Sequence, residues 1–134
     1  YGIERGDADG IARMLAANYN FFGAPVGLIV STDRNLRPHS WLDCGLFLQT
    51  LMLAARARGL STCSQVVFAK HHATISRELA HPADRVVICG LSLGYSMEEA
   101  VINNVSYPRA PLSEFANFHW GDGETTAGAA RAQA

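Results

Sequence analysis

The sequence predicts an α+β fold, and three observations carry that expectation. Val26–Thr32 and Arg85–Tyr95 are nearly unbroken apolar runs rich in β-branched residues, as strands covered on both faces are. A third run, Thr62–Phe68, reads as a loop passing into a short strand. Between these runs apolar residues recur at helical spacing, and one stretch, Leu42–Arg58, is apolar almost all the way round.

Asp7 is a plausible N-cap for a first helix reaching about Phe21, with Ile11, Met14 and Leu15 on one face. Gly23 ends it and Pro25 prevents its continuation. The strand Val26–Thr32 follows, and then a polar connection, Asp33–Pro38. Ser40 with Asp43 resembles a capping box, Asp standing where Glu is usual. The helix Leu42–Arg58 would be roughly 25 Å long at 1.5 Å per residue. Arg56 and Arg58 suit the negative end of its dipole, and Gly59 supplies a left-handed stop. With Trp41, Leu42, Leu46, Phe47, Leu48, Leu51, Met52 and Leu53 spread around it, this helix has no wet face. A chain this small cannot cover it alone, so another subunit or further chain must.

Beyond the second strand, Lys70–Ala80 reads as an amphipathic helix with Ile75 and Leu79 inward. His81–Asp84 turns the chain into the strand Arg85–Tyr95. Pro111–Trp120 reads as a short helix carrying Phe115 and Phe118. Gly121–Ala134 is Gly, Ala, Thr and charge, with nothing to bury, and is expected to be a disordered tail.

Composition excludes several classes. The chain has 134 residues, enough for one domain, and 11 basic against 12 acidic residues give a net charge of −1. That is no electrostatic footprint for a nucleic acid or an anionic membrane. The charge-free apolar stretch Cys44–Ala55 is too short to cross a bilayer, which takes ~20 residues. No basic segment followed by an apolar one opens the chain as a signal peptide would. Cys44, Cys63 and Cys89 are odd in number and lack C-x-x-C spacing, so they read as small buried residues in a reducing cytoplasm. The adjacent His71 and His72 point about 100° apart on a helix and do not chelate together, and no other His has ligand spacing. No metal site is expected. Gly59, Gly90 and Gly94 do not make a dinucleotide fingerprint, and Gly90 more simply permits close packing.

Four stretches carry a family likeness. N-Y-N-F-F-G-A-P-V-G-L at 18–28, S-W-L-D-C-G-L-F-L-Q-T-L-M-L-A-A-R-A-R-G-L-S-T-C at 40–63, V-V-I-C-G-L-S-L-G-Y at 86–95 and P-R-A-P-L-S-E-F at 108–115 resemble, in order and spacing, segments of the FMN-dependent nitroreductase family. The likeness is to the branch acting on nitrobenzoates and covers nearly all of residues 1–120. It implies a three-layer αβα fold with a mixed central sheet, and a homodimer through the 42–58 helix with FMN at the subunit interface. It also implies ping-pong chemistry, in which NAD(P)H reduces the flavin and the flavin reduces a nitroaromatic or a quinone. The family's N-terminal part begins with an Arg-Ser-x-Arg type motif that grips FMN, and nothing of that kind precedes Tyr1. Residues 1–120 are therefore expected to be the C-terminal portion of such a domain, inactive alone. The alternative is a shortened, flavin-free dimerisation or interaction module.

The resemblance also nominates site residues. Arg109 matches the arginine that pairs with the FMN phosphate, and its planar fork suits phosphate oxygens. A solvated surface arginine is the ordinary alternative. The family often carries a second basic residue just before it, and Ser106, Tyr107 and Pro108 supply none. Ser64, Gln65, Val66 and Val67 match the loop beside the isoalloxazine ring, where a backbone N–H reaches N5. Trp41, Phe47, Tyr19, Phe21 and Phe22 read more simply as core or dimer contacts than as lining of the site. No side chain here is expected to be catalytic, because the flavin carries the electrons.

Overall fold

The computed structural model describes residues 1–36, 38–119 and 125–127, in two units that divide after Asn103. In the first unit, helix α1 (Ala8–Ala17) opens where the Gly10 N–H donates to the Asp7 carboxylate at 2.8 Å. That bond satisfies one of the bare donors of a helix start. Instead of running on to Phe21, the chain tightens into a 3-10 segment, Asn18–Gly23, in which Phe21 and Phe22 take φ of 49° and 55°. Left-handed backbone costs an L-residue about 1–2 kcal/mol, so surrounding contacts must hold both phenylalanines there.

Strands β1 (Val26–Asp33), β2 (Ser61–Gln65) and β3 (Arg85–Gly94) form a sheet in the order β1-β3-β2, with both pairings antiparallel. The mixed sheet that the resemblance implies is not seen among the described residues. The reason is topological: β1 and β2 run in the same direction, but β3 lies between them, so neither borders a parallel neighbour. Ile88 is skipped in the β1 register, which steps from Val30 opposite Cys89 to Ser31 opposite Val87. The core centres on β3, where Leu91 is 0% and Val87 2% exposed.

Gly90 explains how one sheet face is covered. A Cβ at Gly90 would collide with the Phe68 ring and come 3.2 Å from Phe21, and a Cβ at Gly27 would meet the Phe21 ring too. The two glycines leave room for these rings, which stack with centroids 4.7 Å apart and planes at 18°. The close-packing role expected for Gly90 is what the structure shows.

Helix α2 (His39–Arg56) begins a turn before Leu42 and has Pro38 as its N-cap, with no side-chain capping bond. Ser40 therefore lies inside the helix, and the expected Ser40–Asp43 capping box does not form. The other end is as expected. Gly59 takes φ 75°, and the N–H groups of Leu60 and Gly59 return to the carbonyls of Ala55 and Arg56, each at 3.0 Å. This double closure satisfies carbonyls that a helix end leaves bare. Ala55 is buried and Leu48 and Met52 half-buried, whereas Leu42 is 67%, Leu46 59% and Leu53 60% exposed. One oily face of α2 is covered by this chain, and the other is not.

Helix α3 (His72–Glu78) is shorter than Lys70–Ala80, because Val66–His71 is a separate 3-10 segment. Ile75 is half-buried, but Leu79 falls past the last helical residue and is exposed, not inward. The helix closes like α2, with His81 N–H bonded to Ser76 O at 2.9 Å, but Ala80 holds the left-handed position at φ 50°. Ala80→Gly is expected to stabilise the fold by about 1 kcal/mol, relief of strain outweighing the added freedom of the unfolded chain. A denaturant midpoint that stays put or falls would show otherwise.

In the second unit, helix α4 (Leu112–Phe115) is a single turn, and Ala116 is extended, so the helix expected to reach Trp120 stops short. Phe118 lies instead on β4 (Asn117–His119), which pairs antiparallel with β5 (Thr125–Ala127). Most of the expected tail lies outside the described residues, but 125–127 form a strand. Among the described residues no helix is long and apolar enough to cross a membrane.

Candidate functional site

Four of the five sequence-nominated residues, Ser64, Gln65, Val66 and Val67, lie at the end of β2. Gln65 closes the strand opposite Gly90, and the chain then winds into the 3-10 segment Val66–His71. Val66 and Val67 are thus the opening turn of a helix, not strand residues as expected. No side chain caps that turn, and the first N–H groups of a helical turn have no partner within it. Val66 is 75% exposed, Ser64 exposed and Val67 half-buried.

Gln65 is the exception, at 3% exposed. Its Nε2 donates to the Asn18 carbonyl at 2.8 Å, joining the two 3-10 segments. Its Oε1 is buried and accepts no hydrogen bond among the described residues. An unsatisfied buried acceptor costs about 1–3 kcal/mol, so the residue is held at some expense to stability. The sequence offered no sign of this tie, since a backbone carbonyl as acceptor leaves no residue signature.

The two segments meet at further points. Phe21 stacks on Phe68, and the Tyr19 ring lies nearly perpendicular to those of both Phe68 and His71. The Tyr19 hydroxyl lies 3.0 Å from His71 Nε2. His72 is engaged elsewhere, with Arg34 2.9 Å from its Nε2 and Ser76 Oγ 3.2 Å from its Nδ1. The neighbouring histidines thus serve different contacts, and among the described residues no group of three His, Cys, Asp or Glu could hold a metal ion.

Cys89 is buried, as expected, but Cys63, just before the candidate segment, is exposed. Partial desolvation nevertheless pushes the Cys63 thiol above its ordinary pKa, which keeps it protonated and weakly nucleophilic near neutrality. Burial first, and the charge of Cys44 on α2 second, raise Cys89 in the same direction. Arg109 belongs to the second unit, outside any helix or strand, before α4, and is exposed. Trp41, Phe47, Tyr19 and Phe22 are also exposed, and Phe21 is the one of the five packed into the core face.

Two open depressions, of about 480 and 350 Å³, lie at the N-terminal end against Tyr1, Ile3 and Met14, and neither includes Ser64–Val67. The candidate segment lines neither of them. It can offer peptide donors, on a rigid anchor, to acceptor atoms of a flat ligand lying against it.

The sequence pattern of the nitroreductase family matches residues 3–95. The chain is 50% identical over 116 residues to a 4-nitrobenzoate reductase of Pseudomonas putida, covering 87% of this chain and 51% of that protein. It superposes with a TM-score of 0.84, at 37% identity, on a crystal structure of the FMN and NADPH-dependent nitroreductase NfnB from Sphigopyxis sp. strain HMH, covering 87% of this chain and 52% of that one. It also superposes, at TM-score 0.81 and 33% identity, on the FMN-dependent nitroreductase NfnB from Mycobacterium smegmatis in complex with NADPH, covering 87% and 52%. The chain spans about half the length of the curated relatives it matches. On the strength of that match and of the fold it shares with these structures, the chain belongs to the nitroreductase family.

Proposed function

We propose that the whole protein is an FMN-dependent oxidoreductase that takes hydride from NAD(P)H and passes it to a nitroaromatic or a quinone in alternating half-reactions. The observation that supports this most is the uncapped turn at Val66 and Val67, anchored by Gln65, in a chain 50% identical over 116 residues to a 4-nitrobenzoate reductase. The residues present fit the cofactor. The turn offers N–H donors where a reduced flavin gathers charge, and Arg109 offers a two-pronged donor suited to phosphate. When bound, FMN supplies the hydride-carrying chemistry, and the protein binds, orients and tunes it.

In this reading Val66 and Val67 donate peptide N–H groups toward the ring, with Ser64 and Gln65 fixing the approach. Arg109 holds the phosphate. The uncovered face of α2 meets the same face of a second copy, so that the protein is a homodimer through the 42–58 helix, and the cytoplasm is its compartment.

The test is a visible absorption spectrum of the intact protein, before and after NAD(P)H, followed by addition of 4-nitrobenzoate. Bound oxidised flavin that bleaches and then recovers its colour is expected. A colourless protein inert to reduced nicotinamides would end the proposal. Arg109→Ala is expected to weaken FMN by about 1.5–3 kcal/mol, the range for a lost charge-assisted bond. Unchanged affinity in a flavin fluorescence titration would remove Arg109 from the site.

A further inference from the structure

We propose that the Gln65 side chain is a positioning residue, whose carboxamide ties Asn18 to the end of β2 and thereby sets the direction of the Val66 and Val67 peptides. This rests on the reading of that segment as the flavin-facing edge.

Three observations carry it. Gln65 is pinned at both ends: its backbone lies in the ladder opposite Gly90, and its amide is bonded 47 positions away in sequence, to Asn18 O at 2.8 Å. With both ends fixed, the peptide that follows has little freedom. Second, the Asn18 carbonyl can only accept, so the amide NH2 must face it and Oε1 must point away. There Oε1 sits buried with no partner among the described residues. A methionine would fill similar space without that penalty. The amide is therefore explained by the direction it imposes rather than by the stability it adds. Third, Asn18 opens the segment whose Phe21 and Phe22 are left-handed, and Phe21 stacks on Phe68 of the Val66–His71 segment. Of the contacts joining the two segments, the Gln65 bond is the one adjacent in sequence to Val66.

The experiment uses the flavin-loaded protein and the variants Gln65→Met and Gln65→Glu, each checked for fold by circular dichroism. Gln65→Met is expected to retain flavin but to lose about 10- to 100-fold in kcat, with KM for NAD(P)H little changed, as misplacement of a reacting group does. Its flavin midpoint potential is expected to shift, because the donor facing the ring has moved. Gln65→Glu has no donor for Asn18 O while ionised. Burial raises a carboxyl pKa, so as pH falls through it the side chain gains an O–H and kcat should climb back toward wild type. Unchanged kcat and potential in Gln65→Met, with only a lower melting temperature, would reduce the residue to a structural one and overturn the proposal. If Gln65→Met does not fold, the Gln65→Glu profile decides: recovery in acid supports the assignment, and no recovery overturns it. A wild-type protein that never takes up flavin would overturn the underlying reading as well, whereas a flavin-loaded wild type with indifferent variants overturns this assignment alone.

Discussion

Phe68→Ala is expected to lower the stability of the fold by about 3–5 kcal/mol, the cost of emptying a buried aromatic site. Phe68 is 7% exposed, stacks on Phe21, packs T-shaped with Tyr19, and lies where Gly90 leaves room for it. Its removal opens a hole between the sheet and the Asn18–Gly23 segment, and the left-handed Phe21 loses the ring it stacks on. A native domain has a net stability of only about 5–15 kcal/mol, so the variant should be largely unfolded at modest denaturant. Urea unfolding would check this, and a loss below ~1 kcal/mol would show that Phe68 is not central to the core. Gly90→Ala should harm the same site by crowding, by about 1–3 kcal/mol. Because the added methyl collides with the Phe68 ring, that cost should largely vanish in the Phe68→Ala background, a coupling that a double-mutant cycle would read directly.

Leu46→Asp is expected to break the proposed dimer. Leu46 is 59% exposed in the single chain, between Leu42 and Leu53 on the uncovered face of α2. Burying a leucine is worth about 1.5–3 kcal/mol, and a two-fold interface repeats each contact, so the loss is roughly 3–6 kcal/mol before the desolvation of two carboxylates is added. At 1.4 kcal/mol per tenfold, dimer affinity should fall by at least about 100-fold. Sedimentation at micromolar concentration should show dimer for the parent and monomer for the variant, and FMN should be lost in parallel. An unaltered dimer would place the interface elsewhere.

Much of the fold could be read from local chemistry. Strands at Val26 and Arg85 follow from β-branched apolar runs, the stop at Gly59 from a residue free to go left-handed, and the start at Asp7 from a carboxylate that caps. What could not be read has one cause: non-local contacts override local preference. Val66 and Val67 have strong strand propensity, yet they wind into a helical turn because Phe68 must reach the hollow over Gly90. Ser40 looks like a cap, but Pro38 starts α2 earlier. Leu79 follows the helical spacing, but the helix closes before it. At the candidate site, the segment 64–67 was named by resemblance, while the Asn18 tie and the buried bare oxygen of Gln65 were invisible, since neither is encoded by a pair of side chains at fixed spacing.

The strand order has a consequence for the isolated chain in solution. β1 and β2 both lie at rims of the three-stranded sheet, but they are unlike. β2 is five residues of Ser, Thr, Cys and Gln, a poor template for another strand, whereas β1 offers the longer, oilier V-G-L-I-V run. Any polypeptide that zips onto this sheet by main-chain bonding should therefore do so along β1. Self-association of the lone chain into ordered aggregates would begin at that rim as well.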